Sequence, residues 1–166
     1  EVDTPEDPEK EGYTFAGWTP EVPATMPAEN IEVEAVFTKE SYTINYNIGE
    51  ATGAAPAAAT ANYGDVITLP EVDFEGYTLE GWYIGSTKIG DKGATWTVTD
   101  LGDNGTAVEV TANWVINQYT ITFAEEDGTV ISTITKDYKA AIAESEYADI
   151  TPAEKTGYTF TGWTVP

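Results

Sequence analysis

Through most of this chain apolar and polar residues alternate at period two, the spacing of strands. Ile31, Val33, Ala35 and Phe37 alternate with Glu32, Glu34 and Val36, and Val108, Val110, Ala112 and Trp114 repeat the pattern. Each reads as a strand with one buried face and one mostly solvated face. Tyr42–Tyr46 and Tyr119–Phe123 are short runs of β-branched and aromatic residues, also strands. Val66–Leu69 follows a turn at Tyr63-Gly64-Asp65, and Val130–Tyr138 follows the Asp-Gly hairpin signal of Glu126-Asp127-Gly128-Thr129.

The breaks in the alternation are equally informative. Pro20, Pro23 and Pro27 forbid a regular strand between Trp18 and Ile31. Ala51–Ala61 has low strand propensity and holds Pro56, so a loose edge strand or loop is expected. Residues 85–105 are glycine-rich around Thr95-Trp96-Thr97-Val98 and read as a hairpin. Ala140–Ala148 tolerates one or two helical turns.

One element occurs three times. Gly12-Tyr13-Thr14-Phe15-Ala16-Gly17-Trp18 returns as Gly76-Tyr77-Thr78-Leu79-Glu80-Gly81-Trp82 and as Gly157-Tyr158-Thr159-Phe160-Thr161-Gly162-Trp163. The aromatic and threonine residues predict a strand in each copy. Alternation puts Tyr13 and Phe15 on one face and Trp18 on the other, and a bulge at Gly17 would return Trp18 to the Tyr13 side. Tyr13, Phe15, Trp18, Tyr77, Leu79, Trp82, Tyr158, Phe160 and Trp163 are therefore the expected repeat core.

Spacing sets the units. Ile31 and Val108 are 77 positions apart, as are Tyr42 and Tyr119, whereas the glycines that open the motifs are 64 and 81 apart. The second unit thus carries 13 extra residues after its Gly-Trp, and the third carries 4 more before its Gly-Tyr. Insertions on a repeated scaffold map to loops. The division is a partial repeat over 1–37 holding the closing part, a complete repeat over 42–114 with an insertion at 85–105, and a partial repeat over 119–166 holding the opening part. Residues 1–11, with Pro5 and Pro8, are an extended approach to the first motif, as Pro152–Thr156 is to the third, and the chain stops at Pro166. Thr38–Ser41 and Val115–Gln118 are four-residue joints, spanning at most about 14 Å, so neighbouring units should touch and form a stiff, elongated array.

Composition narrows the chemistry. There are 29 acidic residues against 7 lysines, a net charge of -22, and no arginine, histidine or cysteine. Such a chain lacks the cations that neutralise phosphates, which argues against nucleic acid and anionic membrane surfaces as partners. No apolar run approaches the roughly 18 residues of a membrane span, and no secretion signal or anchor is visible in this segment.

The order Tyr-Thr-Ile-x-Phe, Asp-Gly-Thr, a second strand ending in Tyr138, then Pro152-x-x-Lys155-x-Gly157-Tyr158-Thr159-Phe160-x-Gly162-Trp163 resembles the Listeria–Bacteroides repeat found in the stalks of internalin-type surface proteins. The likeness covers nearly the whole chain, with Leu79 in place of Phe, the alanine-rich segment and the 85–105 insertion as departures. It implies a mainly β fold with minor α content, in tandem, small β-grasp-like units. It also implies secreted or wall-attached bacterial proteins in which the repeats act as stalk or adhesive segments, with no shared catalytic residues.

Without His, Cys or Arg most catalytic sets are absent, and carboxylates are too abundant for any pair to stand out, so no enzyme and no cofactor are expected. Asp100, Asp103 and Asn104 gather oxygen ligands for calcium but lack the spacing and terminal glutamate of an EF-hand, which makes a turn the simpler reading. Lys136 is a candidate for an isopeptide crosslink. The expected role is a non-catalytic spacer of a cell-surface or extracellular protein, with other copies of the repeat as head-to-tail partners in a longer chain or between chains. The alternative is an adhesin binding glycan or host protein through exposed aromatics or the 85–105 loop. Exposure of Trp96 would favour the adhesin; burial of the five tryptophans would favour the stalk.

Overall fold

The computed structural model describes residues 6–163; Pro5 and Pro166, named above in the approach and at the end, lie outside them. The architecture is almost entirely strand. The residues fall into two compact units, Glu1–Val72 with Leu79–Asn113, and Asp73–Thr78 with Trp114–Pro166.

The first motif is strand β1 (Tyr13–Thr19), antiparallel to β2 (Glu34–Lys39). Their register shifts between Phe15 and Gly17, so the bulge expected at the glycine is present. Its consequence is the one anticipated: the Trp18 ring meets Phe15 edge-on at 5.4 Å, and Phe15 meets Phe37 across the pair at 5.8 Å. Strand β2 is shorter than the alternation predicts. Residues 31–33 lie outside any strand, and Ile31 is exposed.

The complete repeat supplies β3 (Ser41–Asn47), β4 (Ala59–Asn62), β5 (Val66–Thr68), β6 (Tyr77–Ile84), β7 (Thr87–Gly90), β8 (Thr95–Thr97) and β9 (Ala107–Ile116). Five of these form one sheet in the order β4-β3-β9-β6-β7, with β3 and β9 parallel at its centre. The alanine-rich segment ends in the edge strand β4, and residues before it stay irregular. The 85–105 insertion is not a hairpin within itself. Its first part, β7, turns back on β6 through Gly85-Ser86, and its second, β8, pairs with β5. The reason is that both neighbours offer unpaired strand edges, and an edge pairs with whatever β-prone segment reaches it.

Inward residues of this sheet, with Leu69 and Val98 from just beyond β5 and β8, close the core. Tyr42, Ile44, Leu69, Trp82, Val98 and Val110 are fully buried. At roughly 25 cal/mol per Å2, a buried tryptophan contributes on the order of 5 kcal/mol before entropy is counted. Trp82 is fixed in two ways: its ring meets Tyr46 edge-on at 5.4 Å, and Nε1 donates to the Pro70 carbonyl at 3.0 Å.

The remaining elements are β10 (Gln118–Ala124), β11 (Val130–Asp137), antiparallel to it, and a single 3-10 turn, Glu144–Glu146, where a short helix was expected. The Asp-Gly turn closes the hairpin, with Gly128 at φ 89° and the Asp127 carboxylate accepting the Thr129 N–H. The third motif is not a strand. In the first two copies a closing strand, β2 or β9, lies beside the motif strand; among the described residues no such strand follows residue 157. Extended backbone without a ladder partner leaves its polar groups to water and is not held. Its tryptophan nevertheless docks as Trp82 does, Nε1 donating to the Ile150 carbonyl at 3.1 Å and the ring meeting Phe123 at 5.1 Å.

Tyr42 makes the core sensitive to alkali. Its hydroxyl donates to the Glu40 carboxylate at 2.8 Å, and burial, then that carboxylate, push its pKa up to about 12. The neutral phenol is favoured in the fold, so this contribution is complete below the ordinary value near 10 and is lost as pH rises through about 12. Urea unfolding should show stability falling by roughly 2–3 kcal/mol over that window. Tyr42→Phe should flatten the fall while costing about 1 kcal/mol at pH 7 through the lost hydrogen bond.

Candidate functional site

The residues that recur with the same geometry lie at the joints. A four-residue joint was expected at each; in the structure a single residue, Glu40 or Asn117, separates the closing strand of one repeat from the opening strand of the next. The ladders run up to the joint residue on both sides, and the inward positions change parity across it, from Ala35 and Phe37 to Tyr42 and Ile44.

The first joint is built on Gly12. A turn brings the Tyr13 N–H to the Lys10 carbonyl at 3.0 Å, which needs Gly12 at φ 71°. The Gly12 carbonyl accepts the Glu40 N–H at 3.0 Å, and the Glu40 carbonyl accepts the Tyr63 N–H at 2.9 Å. The Tyr63 ring occupies the place where a side chain on Gly12 would stand. It meets Tyr13 edge-on at 5.8 Å. Lys10 Nζ sits 4.0 Å above the Tyr13 ring, and Lys39 pairs with Asp65 at 3.9 Å. Two hydrogen bonds from Asn62 and the nearby Lys39 hold the Asp65 carboxyl below the usual carboxylate range.

The second joint repeats the turn, the glycine, the two backbone hydrogen bonds and the tyrosine pair. Tyr77 N–H reaches the Phe74 carbonyl at 3.0 Å across Gly76, whose φ is 80°. Asn117 N–H donates to the Gly76 carbonyl at 2.8 Å, and Tyr138 N–H donates to the Asn117 carbonyl at 2.8 Å. The Tyr138 ring fills the side-chain place of Gly76 and meets Tyr77 at 6.4 Å. Phe74 stacks on Tyr77 at 4.3 Å, in the position where the first copy has Lys10. Gly12 and Gly76 are both buried.

The third copy holds the same turn without the rest. Tyr158 N–H donates to the Lys155 carbonyl at 3.0 Å, Gly157 stands at φ 83°, and Lys155 Nζ lies 4.7 Å above the Tyr158 ring. Gly157 is exposed, and Tyr158 is 72% exposed.

The nine expected core residues therefore divide. Trp82 is fully buried; Phe15, Trp18, Leu79 and Trp163 are half-buried, while Phe160 is exposed. Tyr13 and Tyr77 serve the joints, because the left-handed glycine before each turns the ring toward the next repeat's tyrosine. From the sequence Tyr63 reads only as a turn residue and Tyr138 only as a strand end, neither with a role at a joint. Their signal is that each is an aromatic residue ending the second strand or its turn, before the run that leads to the next motif.

The other candidates have structural occupations. Trp96 is 8% exposed, packed in β8 opposite Ile67 of β5. The Asp100 carboxylate accepts the Gly102 N–H at 2.9 Å, the Asn104 amide oxygen accepts the Ser41 N–H at 2.8 Å, and the Asp103 carbonyl accepts from Thr106. These bonds shape the turn that leads into β9. Among the described residues no group of three or more His, Cys, Asp or Glu comes together to hold a metal. Lys136 is paired with Glu146, whose carboxyl is held low by that partner and by the Ala143 N–H. Among the described residues no helix is long and apolar enough to cross a membrane.

The joint can be tested at its glycines. Gly76→Ala combines left-handed strain of about 1–2 kcal/mol with a clash against the Tyr138 ring that adds about 1–3 kcal/mol. Gly157→Ala meets open space and carries only the strain. In urea titrations Gly76→Ala should therefore be the more destabilising by at least about 1 kcal/mol, and equal losses would contradict the packing described.

The Listeria-Bacteroides repeat domain matches residues 1–35, 42–112 and 119–165. A protein of Evansella cellulosilytica described as a membrane protein is 29% identical over 98% of the chain and 24% of its own length. A Gly-rich membrane protein of the same organism is 27% identical over 93% of the chain and 18% of its own. Internalin H of Listeria monocytogenes is 37% identical over 52% of the chain and 17% of its own. The chain spans about a quarter or less of these curated relatives. No solved structure matches it. With three successive matches that cover all but residues 36–41, 113–118 and 166, the chain belongs to the Listeria-Bacteroides repeat family.

Proposed function

We propose that this chain is a non-catalytic spacer segment of a bacterial cell-surface or extracellular protein, whose repeats hold one another in fixed succession. The observation that carries the reading is the joint. The same two hydrogen bonds, the same glycine and the same tyrosine pair occur at Gly12, Glu40 and Tyr63 and again at Gly76, Asn117 and Tyr138. A flexible tether has no use for a buried left-handed glycine packed under a ring, whereas a spacer needs its joints to resist bending. The relatives support the location: one is an internalin and two are described as membrane proteins. A net charge of -22 suits a segment that must stay solvated and avoid non-specific capture.

The adhesin alternative rested on exposed aromatics or the 85–105 loop: Trp96 in that loop and Trp82 are buried and the other three tryptophans are half-buried, while Tyr119, Tyr158 and Phe160 are exposed. The spacer reading expects small-angle scattering from the chain to match one rigid particle, and a glycan array to return no hits. A profile of independently moving beads would overturn it, as would a saturable glycan ligand lost on substitution of the 85–105 loop.

A further inference from the structure

The joints concentrate one kind of ring contact. Among the described residues two tyrosine rings meet in three places: Tyr13 with Tyr63 at 5.8 Å, Tyr77 with Tyr138 at 6.4 Å, and Tyr119 with Tyr138 at 6.1 Å. All three lie at joints. The ring contacts elsewhere include phenylalanine or tryptophan, as Tyr46 with Trp82 and Phe123 with Trp163 do. Two of the three tyrosine contacts bridge repeats. Tyr13 and Tyr77 belong to the motif of one repeat, and Tyr63 and Tyr138, 50 and 61 positions on, belong to the following one. Both bridging pairs are edge-on, with ring planes 62° and 80° apart, so a ring edge of one tyrosine is turned to its partner. One ring of each pair is held in place from behind, Tyr63 against Gly12 and Tyr138 against Gly76. All four rings are half-buried, within reach of a small oxidant yet recessed from the side chains of another molecule. The chain has no cysteine, so an oxidative link between its side chains cannot be a disulfide.

We infer that the tyrosine pairs at the joints are sites of oxidative crosslinking: a one-electron oxidant, of the kind a haem peroxidase makes from hydrogen peroxide, joins Tyr13 to Tyr63 and Tyr77 to Tyr138 as dityrosine and so welds each repeat to the next. Each phenol gives up one electron and one proton. The two phenoxyl radicals form a carbon–carbon bond between the positions ortho to their oxygens. The two ortho hydrogens then move to the oxygens, which restores both aromatic rings. Each link therefore removes two hydrogen atoms from the chain, and one hydrogen peroxide is reduced to two waters. Coupling asks for side-chain rotation, while the backbone on both sides stays where the ladders hold it. The partner ring is already in contact, whereas a ring on another molecule must approach against a net charge of -22, so the link forms within one chain. It closes a long loop around the joint and removes freedom from the unfolded chain. The inference goes beyond the spacer reading, which needs only that the joints resist bending.

Oxidation of the intact folded chain tests it, with a haem peroxidase and hydrogen peroxide, and separately with a photo-oxidised ruthenium(II) tris-bipyridyl complex and persulfate. Blue dityrosine fluorescence should appear while the mass stays that of one chain of 17.9 kDa, less two hydrogens per link. Because Tyr119 competes for Tyr138, the links are assigned in the Tyr119→Phe chain. Peptide mapping there should join Tyr13 to Tyr63 and Tyr77 to Tyr138. Adding Tyr63→Phe should abolish the first link and adding Tyr138→Phe the second, each lowering the fluorescence roughly twofold, and both together should abolish it. Phenylalanine keeps each ring packed on its glycine, so these variants should match the parent in urea titration before oxidation. The linked chain should unfold at higher urea than the untreated one. Oxidation in urea, where the joints are undone, should scatter the links over other tyrosines. A folded chain that gives no dityrosine with either oxidant overturns the inference. So do links that chiefly join molecules, fall on other tyrosines of the folded Tyr119→Phe chain, or persist when Tyr63 and Tyr138 are both phenylalanine. A chain that yields no link and still scatters as one rigid particle would overturn it while leaving the spacer reading intact.

Discussion

A tyrosine ring standing where a glycine side chain would be is the contact on which the succession of repeats depends. The glycine must be left-handed to make the turn that points the following tyrosine outward, and it must be bare to admit the ring from the next repeat. Asparagine could meet the first demand at some cost, but only glycine meets the second. The backbone N–H and carbonyl of the joint residue are used in the same way at Glu40 and Asn117, and each side chain also hydrogen-bonds the hydroxyl of the tyrosine two residues on.

The second invariant is the indole anchor. Trp82 and Trp163 donate to carbonyls 12 and 13 residues earlier and lean on Tyr46 and Phe123, counterparts on the opening strand. The anchor survives in the third copy although the strand does not, which separates two roles that the motif combines. The rings dock by burial and one hydrogen bond; the strand exists only where another strand completes its ladder.

The alternation and the aromatic runs made the strands legible, and the bulge at Gly17 followed from a glycine placed before an aromatic residue. Four things were not legible. The third motif has the composition of a strand, but a strand is a property of a pair, and propensity carries no information on the partner. Residues 31–33 failed for the same reason. The 85–105 insertion was read locally, and the edges of β5 and β6 that claim it are distant in sequence. The joint tyrosines were visible as residues, yet nothing in a single repeat marks Tyr63 as belonging to Gly12, since the contact exists only between repeats.

The single-residue joint also constrains how such arrays can change. Glu40 and Asn117 are 77 positions apart, and the faces of the strands on either side are set by counting through them. One residue gained or lost there would turn the next opening strand over, sending Tyr42 and Ile44 outward and Thr43 and Asn45 into the core. Loops away from the joints absorb differences of 13 and 4 residues without that penalty. A whole repeat gained or lost between equivalent positions keeps each joint in frame and so preserves the strand faces on either side of it.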